Sequence, residues 1–174
     1  MKKVILVRHG KSSWAEPALE DHDRPLNPRG KAAAPVIARW LVARDHRADL
    51  VLCSSARRTR DTVKMMARAI PELPFPVVER GLYHASPSQL RERLRKLPDS
   101  SRSVMVVGHQ PGLSALARKL TNGHVRPRCK RAFDHFPTAA AAVLTFDVPN
   151  WREIDDHAGE FVDFARPREL LSQA

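Results

Sequence analysis

Three short apolar runs, Val4–Val7, Leu50–Cys53 and Val104–Val107, are each followed by a segment with apolar residues at helical spacing. That alternation is the strongest constraint on the fold. Continuous apolar runs of about four residues read as strands buried on both faces. The first helical segment opens at Asn27-Pro28, an N-cap followed by proline at the first helical position, and carries Ala33, Val36, Ile37, Trp40 and Leu41. Pro35 falls inside it and should kink it or delay its start. Thr59, Val63, Met66, Ala67 and Ile70 mark a second helix that closes before Pro71. Ser86-Pro87 opens a third with Leu90, Leu94 and Leu97, and Pro111 a fourth with Leu113, Leu116 and Leu120. Pro76–Val78 reads as a further short strand; Ala139–Phe146 and Glu160–Phe164 read as late strands at a sheet edge. Strand–helix alternation implies an α/β fold, a three-layer α/β/α sandwich around a mostly parallel open sheet. At 174 residues without a linker or internal repeat, the chain reads as a single domain, 1–174.

Several classes are disfavoured. The longest apolar run, Ala139–Leu144, is far short of the ~20 residues that span a bilayer, so no membrane partner is expected. Met1-Lys2-Lys3 followed by four apolar residues is too short for a signal peptide, which makes the cytoplasm the expected location. Two cysteines, Cys53 and Cys129, make no disulfide scaffold, and no ligand cluster stands at metal spacing. Cys53 ends an apolar run and reads as a small buried residue. Charge is uneven. Residues 1–131 hold 27 basic and 11 acidic residues, and residues 132–174 hold 3 and 8. A basic surface attracts polyanions, but Arg118–Arg131, six basic residues without an acidic one, has no aromatic partners interleaved for base stacking. That segment reads as a loop, and nucleic acid is not an expected partner.

In open α/β sheets ligands bind beyond the carboxyl ends of the strands. Arg8-His9-Gly10 follows the first run, Ser54-Ser55-Ala56-Arg57-Arg58 the second, and Gly108-His109-Gln110-Pro111 the third. Each alone has an ordinary reading as a turn or a solvated helix face. Together they bring two histidines and at least two arginines to one rim. Arginine offers a planar fork of donors that fits phosphate oxygens, and histidine serves as nucleophile when neutral. Phosphoryl transfer asks mainly for positioning and charge stabilisation, which these groups supply without a metal.

These motifs resemble those of the histidine phosphatase superfamily, whose fold includes the phosphoglycerate mutases, and within it the small phosphohistidine phosphatase (SixA-like) branch. The likeness rests on Leu6–Gly10, which holds the Arg-His-Gly (RHG) motif, and on Asp23–Gly30, Ser54–Thr62, Leu82–Pro87 and Val107–Gly112. It implies that His9 is the nucleophile, that Arg8 and Arg58 hold the phosphoryl group, and that His109 hydrogen-bonds its oxygens. Arg57 and Arg60 do not align with the second arginine. Arg24 and Gly10 are implied on the substrate-binding side. Gln110 stands where the branch often has asparagine, and Ser54-Ser55 where Ser-Pro is typical. The resemblance implies no metal and no organic cofactor.

A general acid is hard to find. Glu79 lies in about the right part of the chain, yet pairing with Arg80 or a neighbouring helix is the commoner role. A site without a strong acid favours leaving groups that need little help, such as imidazole, with a conjugate-acid pKa of ~6.5. This favours phosphohistidine, or aryl phosphates, over alkyl phosphate esters, and a short chain without a large cap suggests an open site that a phosphorylated protein could enter. The alternatives are a small phosphorylated metabolite, or a basic module that only binds phosphate. His84 and His22 lie near motif segments; His84 reads either as lining the pocket mouth or, more commonly, as a surface or turn histidine, and Trp14 and Trp40 read as packing residues.

Overall fold

A computed structural model describes residues 1–172. Position 174, the end of the expected domain, lies outside the described residues. Seven strands form one sheet: β1 (Lys2–Arg8), β2 (Leu50–Ser54), β3 (Pro76–Glu79), β4 (Ser103–Gly108), β5 (Thr121–Val125), β6 (Ala141–Phe146) and β7 (Gly159–Ala165), in the order β3-β2-β4-β1-β6-β7-β5. β3, β2, β4 and β1 are mutually parallel. β6 runs antiparallel to both of its neighbours, and β5 pairs parallel with β7. Five helices flank the sheet: α1 (Pro28–Ala43), α2 (Arg57–Ala69), α3 (Pro87–Arg95), α4 (Gly112–Leu120) and α5 (Pro167–Leu171).

Period-two alternation divides the strands between two cores. Ile5, Val7, Val51, Cys53, Met105 and Val107 meet Ala34, Ile37 and Leu41 of α1 and Val63 and Met66 of α2 on one face. Val4, Leu6, Leu52, Val104 and Val106 meet Leu90 and Leu94 of α3 and Leu113, Leu116 and Leu120 of α4 on the other. A sheet covered on both faces needs apolar residues at every position, hence the unbroken runs.

Local chemistry sets the helix starts. The Asn27 side chain accepts from the Gly30 amide at 2.8 Å, and Ser86 forms a reciprocal capping box with Gln89. Pro35 does not delay α1, which begins at Pro28 and continues through it. Its missing N–H leaves one helical carbonyl unpaired on a half-buried face, which solvent can satisfy.

Two expectations are corrected. The late strands are not at an edge: β6 lies between β1 and β7, and β7 is covered by β5. The basic segment is not a loop. It supplies the end of α4, the edge strand β5 and a 3-10 helix over Pro127–Phe133. Its cations are largely matched by the acidic end of the chain: Lys119 with Asp156 at 3.1 Å, Arg126 with Glu160 at 3.8 Å, Arg128 with Asp163 at 3.3 Å and Arg131 with Glu169 at 2.6 Å. Both cysteines are buried, and burial pushes the Cys53 thiol up to about 12 and the Cys129 thiol to about 11, leaving neither a thiolate at neutral pH.

Asp163 is the buried anchor of this pairing. Its carboxylate accepts from Arg44 at 3.0 Å and His46 at 2.9 Å, tying β7 to the end of α1. Burial alone would raise its pKa, but these hydrogen bonds and the Arg44 and Arg128 charges hold it below its ordinary value. The stabilisation is therefore present above the ordinary carboxylate pKa of about 3.9 and is lost as pH falls through the lower folded value. Asp163→Ala removes the buried acceptor of two half-exposed guanidiniums and of the His46 N–H, and should lower the unfolding free energy by about 1–2 kcal/mol, measured by urea denaturation at neutral pH.

Candidate active site

The carboxyl ends of β1, β2 and β4 deliver their side chains to one pocket. His9 follows β1, and its backbone is clamped from both sides. Its amide donates to the Gly108 carbonyl at 3.1 Å, and its carbonyl accepts from the Ala139 amide at 2.9 Å. The ring is fixed too. Nδ1 donates to the Gly10 carbonyl at 2.6 Å, which leaves Nε2 as the ring's free lone pair. That lone pair faces Arg58 Nε at 3.3 Å.

Arg58 stands in the first turn of α2 and is 5% exposed. Its guanidinium spans the pocket. Besides His9, Nη2 donates to His109 Nδ1 at 3.3 Å. Nη1 and Nη2 also donate to Asp21, to its carbonyl oxygen at 2.7 Å and to Oδ2 at 3.0 Å. Because Nδ1 of His109 accepts, its Nε2 carries the proton and donates to Ser54 Oγ at 2.7 Å. The two imidazoles lie 5.4 Å apart.

Arg8 anchors the other wall. Nη1 donates to the Phe136 carbonyl at 3.1 Å, while Nε is buried without a hydrogen-bond partner. Burial and the neighbouring Arg58 charge both lower its pKa. Two confined guanidiniums with an unspent buried donor are a demand for an anion. The same environment keeps both imidazoles neutral. Burial first, then the charges of Arg58 and Arg8, pull His9 down to about 4. Burial, His9 and Arg58 pull His109 down to about 3.

Gly10 contributes differently. Its N–H donates to Thr62 Oγ1 at 2.9 Å and its carbonyl holds His9, so both backbone groups are engaged within the protein. A Cβ here would sit 2.9 Å from the Gly30 carbonyl oxygen, so only glycine lets the loop after β1 lie on the first turn of α1. Arg24 makes no hydrogen bond to the cluster. Its guanidinium stacks 3.8 Å over the Trp14 ring, and Nε and Nη1 are buried without partners. Trp14 is thus no core residue; its ring is 69% exposed and serves as a platform for Arg24. Glu79 is held by Arg93 of α3 through three hydrogen bonds of 2.7 to 3.0 Å, as a neighbouring-helix partner would hold it. Gln110 turns to α4 and caps Ser114.

The mouth of the pocket holds what motif reading missed. Asp21 Oδ2 accepts from Arg58, from the Tyr83 hydroxyl and from His84 Nε2 at 3.3 Å. Burial raises the Asp21 pKa, but the bonds from Tyr83, His84 and Arg58 more than offset it, so the group stays a carboxylate well below its ordinary range. His84 stacks on His109 at 5.0 Å, and Tyr83 meets the same ring edge-on at 5.3 Å. His22 Nε2 reaches Ser55 Oγ at 2.9 Å. His84 and His22 are therefore part of the rim. A signal for Asp21 was present in its place three residues before Arg24, but a lone aspartate in a polar loop has no period or spacing to mark it. Among the described residues no group of three or more His, Cys, Asp or Glu side chains is placed to hold a metal.

A family model of the histidine phosphatase superfamily (branch 1) matches residues 4–82. The uncharacterized protein Rv1276c of Mycobacterium tuberculosis is 36% identical over 164 residues, 93% of this chain and 100% of that one. A candidate phosphohistidine phosphatase SixA from Agrobacterium tumefaciens superposes with a TM-score of 0.76 at 30% identity, covering 95% of this chain and 98% of that one. The protein histidine phosphatase SixA, solved with tungstate, gives a TM-score of 0.79 at 25% identity over 97% and 99%.

With His9 and His109 depressed to about 4 and 3, neither ring should gain a proton between pH 8 and pH 6 in the ligand-free protein. Nitrogen-15 NMR of the ring nitrogens checks this; titration of either near its ordinary value of about 6.5 would contradict it.

Proposed function

Because the chain belongs to the histidine phosphatase superfamily, we propose that it hydrolyses phosphohistidine on a protein through a phosphohistidine formed on its own His9. The observation that carries the choice of substrate is the state of the carboxyl groups. Glu79 is locked to Arg93, and Asp21 is held ionised at the mouth. Neither is a ready proton donor for an alkoxide. Imidazole departs as a much weaker base and has least need of one.

The chemistry has two displacements. The phosphoryl dianion takes the place of Asp21 against Arg58, and Arg8 and Arg58 face its oxygens; His109, whose one proton is held by Ser54, donates to them only after Nδ1 takes up a proton in the presence of the dianion. The Nε2 lone pair of His9 attacks phosphorus. The substrate ring is protonated at its other nitrogen, so as the N–P bond to His9 forms and the bond to that ring breaks, the bonding pair departs with it as neutral imidazole. Water then attacks the intermediate in line. An O–P bond forms, the N–P pair returns to Nε2, and the water proton passes to solvent. The guanidiniums oppose the charge on the equatorial oxygens at both stages, in a site where burial makes that interaction strong. Burial keeps His9 a weak base, which makes it a competent leaving group in the second step. Gly10 acts through His9 by holding Nδ1, and Arg24 lies on the loop that carries Asp21.

Metal-free phosphate release from a phosphohistidine protein should exceed release from an alkyl phosphate, and His9→Ala should abolish it. Arg58→Ala should lower kcat by about 10²–10³. A sugar phosphate turned over far better than the phosphohistidine protein would overturn the substrate. Asp21→Asn weakens the internal anion that competes for Arg58, so inhibition by inorganic phosphate should tighten by roughly threefold to tenfold. An unchanged inhibition constant would show that Asp21 does not compete with the phosphoryl group.

A further inference from the structure

Beside the pocket, at the same rim of the sheet, runs an open groove of about 750 Å3. Its placement follows from the topology. Lys11 lies two residues beyond His9. Pro137 and Thr138 lead into Ala139, whose amide holds the His9 carbonyl. The far wall is Arg166–Leu171, brought alongside because Ala165 at the end of β7 pairs with Ala141 at the start of β6. Arg29 and two alanines of α1 close the remaining side.

Resting on the reading of the site as a protein phosphohistidine phosphatase, we propose that this groove binds an acidic segment of the substrate protein adjoining its phosphorylated histidine. The lining carries four permanent cations, Lys11, Arg29, Arg166 and Arg168, against one carboxylate, Glu169. That carboxylate is already claimed by Arg131 at 2.6 Å and lies 3.6 Å from Arg166. Lys11, Arg29 and Arg168 are exposed and, among the described residues, have no carboxylate within 4 Å. The contrast with the basic segment 118–131 is direct. There most cations are matched internally, while here they are left to solvent. The cations come from three separate segments, Lys11 beyond β1, Arg29 on α1, and Arg166 and Arg168 at the start of α5, which suits a chain with several carboxylates. The floor between them is apolar, from Ala32, Ala33, Pro137 and Pro167. It accommodates a polypeptide backbone and offers no Phe, Tyr or Trp on which a nucleic-acid base could stack.

The test compares wild type with the double variant Arg29→Glu, Arg168→Glu. Both positions are exposed second residues of helices, where glutamate suits the helix dipole. A decaglutamate peptide titrated into the labelled wild-type protein should shift amide signals of Lys11, Arg29, Thr138 and Arg168, and should not shift them in the double variant. Phosphohistidine peptides flanked by glutamates should have a KM lower than serine-flanked ones by on the order of tenfold at low salt, with equal kcat, and the variant should lose that preference. Hydrolysis of an aryl phosphate should stay within about twofold of wild type, since the groove lies outside the phosphoryl pocket. Decaglutamate shifts that fall on residues 118–131, or none at all, would overturn the proposal. So would a duplex oligonucleotide that moves the groove signals at lower concentration than the peptide. If wild type cleaves no phosphohistidine peptide, the proposed function fails, and the decaglutamate map still decides the groove.

Discussion

The guanidinium of Arg58 is the interaction on which the rest of the site depends. It is buried in the first turn of α2 and reaches His9, His109 and Asp21 together. Each contact has a separate consequence. The contact to His9 Nε2 exists because Gly10 has taken the Nδ1 proton, so a backbone carbonyl and a guanidinium together fix the tautomer. The contact to His109 turns that ring's Nε2 proton toward Ser54. The contact to Asp21 places an internal anion where the site otherwise has only cations and neutral rings. Burying a guanidinium is expensive unless its donors are matched. Here the partner is a half-exposed carboxylate at the start of the 3-10 turn Asp21–Asp23, a partner that an incoming anion can replace.

The sheet exists, functionally, to hold that guanidinium opposite His9. β1 lies at its centre, with β4 on one side and β6 on the other. β4 brings His109, and the segment before β6 brings Ala139 and the Phe136 carbonyl, which fix His9 and Arg8. α2 brings Arg58 because β2, next to β4, ends one short turn before it. Four segments distant in sequence thus meet within a few ångströms, and the packing of two apolar faces, not the polar contacts, maintains their spacing.

Much of this was legible beforehand, for physical reasons. Val4–Val7 and Val104–Val107 are buried on both faces, so their pattern is unambiguous, and the residues just past them are dictated by topology. Asn27 and Ser86 announce helices through caps that need no tertiary help. The failures are equally specific. β6 and β7 were misplaced at an edge because strand order is set by pairing partners, which apolar runs do not encode. β5 escaped because Asn122 and Gly123 are poor strand formers; the pairing with β7 supplies what local propensity lacks. Asp21 is unmarked in the sequence, and the role of Tyr83 and His84 within their motif is not legible there, because it arises between segments some sixty residues apart. Trp14 reads as a packing residue from sequence because large apolar side chains usually are; here cation stacking on Arg24 keeps it at the surface.

The position of β6 has a temporal side. His9 is synthesised well before Ala139, yet its backbone clamp needs that residue, and β1 lacks its second neighbour until residues 141–146 have been made. Pairings of such long range form late, since loop closure must precede them. A nascent or truncated chain ending before β6 therefore displays the Arg-His-Gly sequence without an assembled phosphoryl pocket. Any chemistry of His9 that depends on this pocket waits until the residues of β6 have been translated, and a chain that stalls before them carries His9 without its backbone clamp.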